Sequence, residues 1–227
     1  TNAITIEAWV KIGENAKASA ILKKGPKLGG SYNSVAYMLY IENGRVYFYG
    51  SNGSKWIFNP SFAYTQDEWM HIAATFNGST AIIYRNGVEM NRRSGIMDSI
   101  QNVVYGLYIG TKWAQFFNGS IDDVRIYNRA LSAEEIYQNY IGNVTLDGLV
   151  SWWKFDGDAN DCIGGNDGVV YGCSYETYGE YALEFDGVDD YVSVADDASL
   201  DLTNAITIEA WVKIGENAKA SAILKKG

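Results

Sequence analysis

The same 25 letters occur twice in this chain of 227 residues. Residues 1–25 read TNAITIEAWVKIGENAKASAILKKG, and residues 203–227 repeat them without a change, at an offset of 202 residues (203 minus 1). Two segments with the same side chains favour the same place in a fold, and one compact unit has a single such place. The duplication therefore predicts a tandem array with a period of 202 residues, in which the second copy belongs to the next unit.

The stretch 141–148 marks the expected boundary between units. It is polar and contains glycine, follows a helix pattern and precedes an apolar strand pattern, which is typical of a linker. We therefore predict that residues 1–140 form the C-terminal three-quarters of one repeat and residues 149–227 the N-terminal part of the next. A second arrangement stays open: residues 149–202 complete the sandwich begun by 1–140, within the chain as a circular permutant or in a neighbouring chain.

Alternation of apolar and polar residues with period two dominates the chain. In residues 4–12, ITIEAWVKI, every second residue is apolar, which predicts a strand with one face in a core. Asn-Gly pairs at 43–44, 77–78 and 86–87 supply the left-handed backbone that tight hairpin turns require. The predicted fold class is all-β, with two antiparallel sheets packed as a jelly-roll sandwich.

One short helix is predicted near the C-terminal side of the first unit, over residues 132–140. Ser132 precedes Glu135 by three positions, which is the spacing of a capping box. Ile136 and Tyr140 are four positions apart and share the face that would pack on a sheet.

Charge and composition exclude several classes of function. The formal net charge is −9, with 18 Lys and Arg against 27 Asp and Glu, so no nucleic-acid partner is expected. The apolar runs are too short to cross a bilayer, so we predict no membrane insertion in this segment. With the single His71 and two cysteines, neither a zinc site nor a catalytic Ser-His-Asp or Cys-His arrangement is indicated, and we predict that the chain is not an enzyme.

The two cysteines give information about the cellular compartment of the protein. Cys162 and Cys173 flank a glycine-rich turn, which favours a short-loop disulfide in a secreted protein and two buried thiols in the cytosol. We predict the disulfide, together with an extracellular or cell-surface location. Four Asn-x-Ser/Thr sequons are candidate N-glycosylation sites: Asn52, Asn77, Asn118 and Asn143.

Several longer segments indicate a family. Residues 182–192, ALEFDGVDDYV, and 206–213, ITIEAWVK, resemble the opening strands of the laminin-G-like group in the concanavalin A-like lectin/glucanase superfamily. Residues 69–78 with 83–87 resemble its central hairpin, and residues 118–132 its closing strand and helix. The resemblance implies the sandwich fold and leaves the function open, because this fold serves lectins, adhesins and structural modules alike.

The resemblance also implies a calcium site. Residues 161–168, DCIGGNDG, resemble the acidic loop of calcium-binding relatives, with one residue fewer than their usual spacing. Calcium prefers a shell of oxygen ligands, and the predicted protein ligands are Asp161, Asn166 and Asp122, completed by backbone carbonyls and water. Asp122 is included because it alternates in step with Val124 and Ile126, which predicts that its carboxylate points towards the apolar side of the strand. The alternative is an aspartate paired with Arg125 or capped by turn amides.

Aromatic residues are the candidate contacts for a sugar. Trp113 and Trp56 lie in loop-like surroundings and Trp9 on the polar face of its strand, so these three are the candidate glycan-stacking residues. Cross-strand packing or contact with a neighbouring repeat is the alternative explanation. The Glu-x-Asp-x-(x)-Glu run of the glycosidases in this superfamily is absent, which again indicates a non-catalytic domain.

Two functions follow. The first is a structural repeat of an extracellular fibre or cell-surface adhesin, whose partners are neighbouring identical repeats. The alternative is a carbohydrate-binding, lectin-like module that reaches cell-surface glycans through multivalency.

Overall fold

The structure is a computed structural model that describes residues 3–10, 12, 18–27, 30–66, 68–110, 117–178, 180–186, 189–198, 207–212 and 224–226. Strands account for most of it. In chain order they are β1 (Ile4–Val10), β2 (Ser19–Lys24), β3 (Tyr37–Glu42), β4 (Arg45–Ser51), β5 (Trp56–Phe58), β6 (Ser61–Ala63), β7 (Met70–Phe76), β8 (Thr80–Arg85), β9 (Val88–Ser94), β10 (Leu107–Ile109), β11 (Asn118–Tyr127), β12 (Leu149–Trp153), β13 (Gly168–Tyr171), β14 (Ser174–Tyr178), β15 (Glu180–Asp186), β16 (Tyr191–Val194), β17 (Thr207–Val212) and β18 (Leu224–Lys226), with helix α1 (Ala133–Tyr140) between β11 and β12. The named strands pair antiparallel, which confirms the all-β prediction.

The first sheet has the strand order β14-β15-β11-β1-β7-β8-β9. β12 also pairs with β11, on the edge that β15 uses further along the strand. The second sheet has the order β18-β10-β2-β3-β4-β5, with β6 also pairing with β4. β13 and β16 form a small third sheet.

The core lies between the two large sheets. From the second sheet, alternate residues such as Leu39, Ile41 and Phe48 are fully buried, and from the first sheet Ile72 and Ile126 meet them. This is the result expected of period-two strands, since one face of each sheet excludes water. Burying each large apolar side chain contributes about 1.5–3 kcal/mol, so the sandwich is held mainly by this layer.

Helix α1 covers part of the outer face of the first sheet. Its N-cap Ser132 accepts a hydrogen bond from the backbone N–H of Glu135, whose side chain accepts one from the Ser132 N–H in return, so the predicted capping box is confirmed. Ile136 is buried against Tyr84 and Tyr127 of the sheet. Among the described residues, no helix is long and apolar enough to cross a membrane.

Side chains of α1 and of the segment before it hold the predicted linker, residues 141–148, through a hydrogen bond and an ion pair. The backbone N–H of Thr145 donates to Asn139 Oδ1 at 2.7 Å, and Arg129 Nε lies 2.9 Å from Asp147 Oδ2. Beyond the linker, β12 and β15 pair with β11 and β14 pairs with β15, so these three strands share a sheet with strands that precede residue 140. This pairing is the one expected of the circular-permutant arrangement; the division into repeats at 141–148 stays a prediction.

Strands from the two copies of the duplicated segment have the same pairing partners. β1 and β17 each pair with β7 and β11. Trp9 and Trp211, which are equivalent residues of the two copies, both pair with His71 and with Asp122. In the second sheet, β2 and β18 both pair with β10.

Candidate functional site

The outer face of the second sheet carries a group of aromatic side chains. On β3 and β4, the residues that alternate with the core residues lie on the outer face of the sheet, where Tyr40 pairs with Tyr47 and Met38 pairs with Tyr49. Such cross-strand neighbours on one face lie close enough to pack against each other. β5 adds an indole at the end of this row. We call the outward group the aromatic face; it consists of Met38, Tyr40, Tyr47, Tyr49, Trp56 and Asn59.

Tyr49 is the centre of the aromatic face. Its ring lies 5.6 Å from the ring of Tyr47 in a stacked arrangement and 6.1 Å from Tyr40 edge-on. The indole of Trp56 lies 5.2 Å from Tyr49 on another side. Aromatic rings at these separations stabilise one another, so the row is held in shape before any ligand arrives.

A shallow depression of about 300 Å³ lies on this face. Its walls are formed by Met38, Tyr40, Tyr49, Trp56 and Asn59. Tyr40 is almost fully buried, Tyr49 and Trp56 are half-buried, and Asn59 is exposed. The depression therefore combines apolar ring surface with an accessible amide, as small-molecule sites commonly do.

Burial keeps the hydroxyls of Tyr40 and Tyr49 in their neutral form, because it raises the pKa of both groups. Burial is the main cause that raises the pKa of Tyr40, with the nearby Glu42 carboxylate and Tyr49 adding to it. Burial likewise raises the pKa of Tyr49, against a smaller opposing effect of its hydrogen bond with Asn59. Each phenol thus keeps a proton that it can donate to a ligand oxygen.

Local packing places Trp56 beside Tyr49. The Oδ1 of Asn52 accepts hydrogen bonds from the backbone N–H groups of Ser54 and Lys55, at 2.9 and 3.0 Å, which shapes the turn before β5. On β4, a Cβ at Gly50 would overlap the Phe58 ring, so only glycine lets Phe58 pack into the core at this point. Phe58 packs inward and Trp56 lies on the outer face, although the two are only two positions apart, because the pairing of β4 with β5 shifts register between Gly50 and Ser51.

The three residues predicted to stack on a glycan differ in where the structure places them. Trp56 belongs to the aromatic face. Trp9 does not: it is only 7% exposed, with its ring 4.9 Å from Tyr140 of α1 and 5.2 Å from His71. The prediction for Trp9 is wrong because the helix covers the strand face that its pattern marked as polar. Trp113 lies outside the described residues.

Tyr40, Tyr47 and Tyr49 are site residues that the sequence reasoning missed. They are spread over two strands, where aromatic residues are expected to pack across the sheet. Strand alternation could have found them, since all three alternate with residues that the pattern assigns to the core and therefore share the outer face.

The predicted calcium loop is organised by Asp161. Its Oδ1 accepts the backbone N–H groups of Trp152 and Ile163, and its Oδ2 those of Gly164 and Asn166, at 2.9–3.0 Å. These bonds use the lone pairs that a metal would need, so Asp161 as placed does not fit a calcium ligand. Among the described residues, no three His, Cys, Asp or Glu side chains are grouped to hold a metal ion. Calcium binding itself stays a prediction.

Asp122 is half-buried, whereas Val124, which strand alternation would place on the same face, is fully buried. The reason is a register shift of β11 against β1, where Asp123 adopts a left-handed backbone with φ of 54°. This bulge interrupts the alternation on which the orientation of Asp122 was predicted. Arg125 pairs with Asp123.

The structure does not join Cys162 to Cys173, so the disulfide prediction is not supported: both residues are present as thiols. Cys162 lies exposed in the turn after Asp161, whereas the Cys173 thiol is directed to the carbonyl of Tyr171 at 3.6 Å.

Two of the sequons, Asn77 and Asn143, are exposed, and Asn52 is half-buried in its turn. The Asn118 side chain lies outside the described part of the structure. Glycosylation stays a prediction at all four positions.

His71 is a packed strand residue. It is fully buried, and its Nε2 lies 3.2 Å from Glu7 Oε2. Burial raises the pKa of Glu7 and lowers the pKa of His71, so each group favours its neutral form. Asn139 of α1 donates to the same Glu7 oxygen at 3.3 Å, which ties the helix to the sheet.

Solved structures with a similar fold include a protein from Bacteroides ovatus ATCC 8483 that is assigned as a carbohydrate binding protein, with 16% identity and a TM-score of 0.52. The match covers 86% of this chain and 54% of that protein, so the chain spans about half of its length. At this identity the likeness shows the fold alone.

Two botulinum neurotoxin structures also match: the receptor binding domain of the C/D mosaic serotype and the serotype D ligand binding domain in complex with N-acetylneuraminic acid. Their identities are 10% and 8%, and the matches cover 92% of this chain and 81% and 82% of theirs. Their TM-scores of 0.34 and 0.32 are too low to carry an argument.

Comparison with curated proteins gives no match. A family profile described as the concanavalin A-like lectin/glucanases superfamily matches residues 1–137, which is more than half of the 227 residues. These residues contain β1 to β11 and the first turn of α1. The chain therefore belongs to the concanavalin A-like lectin/glucanases superfamily.

Proposed function

We propose that this chain is a carbohydrate-binding module and that a glycan docks on the aromatic face. The observation that carries the proposal is the packed row of rings around Tyr49, which borders a depression on the outside of the second sheet. Sugar rings present C–H groups on their faces and hydroxyls at their rims. Half-buried aromatic rings match the first, and fixed polar groups match the second.

Each wall of the depression has a role in this proposal. The rings of Tyr49 and Trp56 offer half-buried surface against which a sugar face can stack. The Asn59 amide both donates and accepts hydrogen bonds, and the Tyr40 hydroxyl is a neutral donor. The volume is at the lower end for ligand pockets, which suits a short glycan segment rather than a long groove-bound chain.

The chemistry of the lining favours binding over catalysis. None of the five residues lining the depression is a carboxylic acid or a histidine. Glycoside hydrolysis needs a pair of carboxyl groups that flank the bond. We therefore propose a non-catalytic role for this site.

Binding can be tested on the full chain with a glycan array, followed by titration calorimetry on the best ligand. We expect Tyr49→Ala and Trp56→Ala each to weaken the Kd by about ten-fold or more, because each removes a stacking ring from the centre of the contact.

The matched control is Tyr137→Ala, which removes an exposed tyrosine from α1, on the outer face of the opposite sheet. Tyr137→Ala should leave the Kd unchanged. Full binding by Trp56→Ala and Tyr49→Ala would contradict the proposal, and so would an equal loss in Tyr137→Ala.

A structural repeat of an extracellular array is a second candidate function. The observation that favours it is the identity of residues 1–25 and 203–227, because a repeating contact needs a repeating surface. Its partners would be neighbouring identical repeats. Light scattering of the purified chain across a wide concentration range tests it: we expect reversible association, and a monomer at every concentration contradicts it. An extracellular or cell-surface location is proposed with either function.

A further inference from the structure

A second group of aromatic residues lies on the small third sheet. β13 and β16 pair so that Tyr171 stands directly opposite Tyr191. The two rings are stacked, with centroids 4.2 Å apart and planes only 11° from parallel. Val192 and Val194 of β16 are buried in the core, so strand alternation places Tyr191 on the outward side of this sheet. The two tyrosines therefore form an outward-facing pair of parallel rings.

A lysine lies over this pair. The Nζ of Lys27, in the segment that follows β2, is 3.8 Å from the centroid of the Tyr191 ring and 6.0 Å from that of Tyr171. An ammonium group is attracted to the face of an aromatic ring, so this contact holds Lys27 beside the tyrosines. In the residues that the structure describes, Lys27 makes no ion pair with a carboxylate. Its positive charge is therefore available to a ligand.

Tyr108 of β10 adds a third phenol, because β10 contacts β16. Burial is the main cause that raises the pKa of Tyr108, Lys27 opposes this effect, and Tyr191 and Tyr171 add to it, so the four groups are neighbours. We call Tyr108, Tyr171, Tyr191 and Lys27 the tyrosine platform. Tyr171 is 43% exposed and the other three are half-buried, so the platform combines an accessible ring with polar groups that the fold holds in place.

The tyrosine platform is separate from the aromatic face, although Tyr108 lies on the same side of the second sheet. Tyr108 pairs with Lys23 of β2, and Lys23 pairs with Met38 of the aromatic face. Two strand spacings, about 10 Å, separate Tyr108 from Met38. Between them Lys23 is fully buried, with its Nζ beside Gly30. This covered lysine divides the surface into two sites.

We propose that the tyrosine platform is a second carbohydrate site and that it binds a sugar residue bearing a carboxylate, of the uronic acid class. The sugar ring stacks on the exposed side of Tyr171, and its carboxylate pairs with the Lys27 ammonium. The phenols of Tyr108 and Tyr191 donate hydrogen bonds to sugar oxygens. The inference shares only the class of ligand with the proposed function, because none of these residues belongs to the aromatic face.

The second site is tested in the double variant Tyr49→Ala with Trp56→Ala, which removes the central rings of the aromatic face. An array of carboxylate-bearing oligosaccharides identifies the best ligand, and titration calorimetry compares it with its carboxyl-reduced, neutral form. We expect the double variant to bind the acidic glycan and to bind the neutral form about five-fold more weakly, because the ion pair with Lys27 is then lost.

Two further substitutions in this background assign the binding to the platform. Tyr171→Ala should weaken the Kd for the acidic glycan by about ten-fold or more, because the stacking ring is removed. Lys27→Gln should bring the Kd of the acidic glycan to that of the neutral form. The matched controls are Tyr137→Ala, a 45% exposed tyrosine of α1, and Lys154→Gln, a lysine that lies 4.6 Å from the Trp152 ring centroid. Both controls should leave the Kd unchanged.

The outcomes separate this site from the aromatic face. Binding of the acidic glycan by the double variant at the parental strength supports the tyrosine platform and contradicts the role of Tyr49 and Trp56. A folded double variant that binds no acidic glycan overturns the second site alone, and so does equal binding of the acidic and neutral forms. Lys27→Gln in the otherwise parental chain repeats the comparison without changing any packed ring: an unchanged preference for the acidic form there also overturns the proposal.

Discussion

At the scale of single residues, function and stability depend on side chains that organise several partners at once. Tyr49 contacts three other rings of the aromatic face. Asp161 similarly collects four backbone N–H groups from β12 and the loop that follows it. A carboxylate with four charge-assisted hydrogen bonds fixes the loop without a metal ion, so its removal should cost stability directly.

For Asp161→Ala we expect a loss of about 3 kcal/mol in the free energy of unfolding, because buried amides lose their acceptor. Urea unfolding in EDTA and in calcium should give the same loss. Asp156→Ala, which removes an exposed carboxylate before the loop, should have little effect. A loss that appears only in calcium would show that Asp161 acts as a metal ligand after all.

At the scale of elements, α1 illustrates how local and tertiary interactions combine. Arg129 makes a two-pronged ion pair with Glu135, at 2.6 and 3.0 Å, while Glu135 also accepts the Ser132 N–H. The hydrogen bond from Arg129 is the main cause that lowers the pKa of Glu135 to about 2, from an ordinary 4.5. The helix start is therefore anchored to the end of β11 by a charged group as well as by the buried Ile136.

This low pKa sets the direction of a pH dependence. Because the pKa of Glu135 is lower in the folded state, its stabilising contribution is complete above about pH 4.5 and is lost as the pH falls towards 2. We expect Glu135→Gln to be less stable than the parental chain at pH 7 and to approach it at pH 2, as measured by urea midpoints.

Glu134→Gln is the control for this prediction, since Glu134 accepts a hydrogen bond from Gln138 rather than from an arginine. It should follow the parental pH profile. A constant difference between Glu135→Gln and the parental chain from pH 7 to 2 would contradict the assigned role of the ion pair.

At the scale of the whole molecule, the order of elements along the chain differs from their order in space. β12 and β15 come after α1 in sequence and yet pair with β11, and β1 lies on the opposite edge of β11. Trp153 of β12 is fully buried, and its indole N–H donates to the Asn166 carbonyl at 2.8 Å. The residues on either side of the connection 141–148 therefore contribute to one core.

This arrangement predicts the behaviour of a nicked chain. A protease site inserted after the exposed Asn143 should be cleaved, and the two fragments should stay together on size exclusion until denaturant is added. The shared sheet and core hold them. The uncleaved insertion variant is the control for folding. Fragments that separate in native buffer would favour two consecutive units divided at 141–148.

Much of the fold follows from sequence pattern. Alternation in β3 and β4 predicts which residues share a face, because successive side chains of a strand point to opposite sides. The capping box at Ser132 predicts the start of α1, since it depends on residues only three positions apart. The duplication predicts two segments with the same preferred place.

Only the tertiary structure determines which elements cover each face of a sheet. Trp9 and Tyr49 both lie on the face of their strand that points away from the core, yet α1 covers Trp9 whereas Tyr49 borders an open depression. The bulge at Asp123 likewise cancels the orientation that parity assigned to Asp122. A side chain's face is set by its immediate neighbours in the chain, whereas its exposure depends on elements far away in sequence. Local pattern therefore determined the strands, and long-range packing determined which of their residues meet solvent.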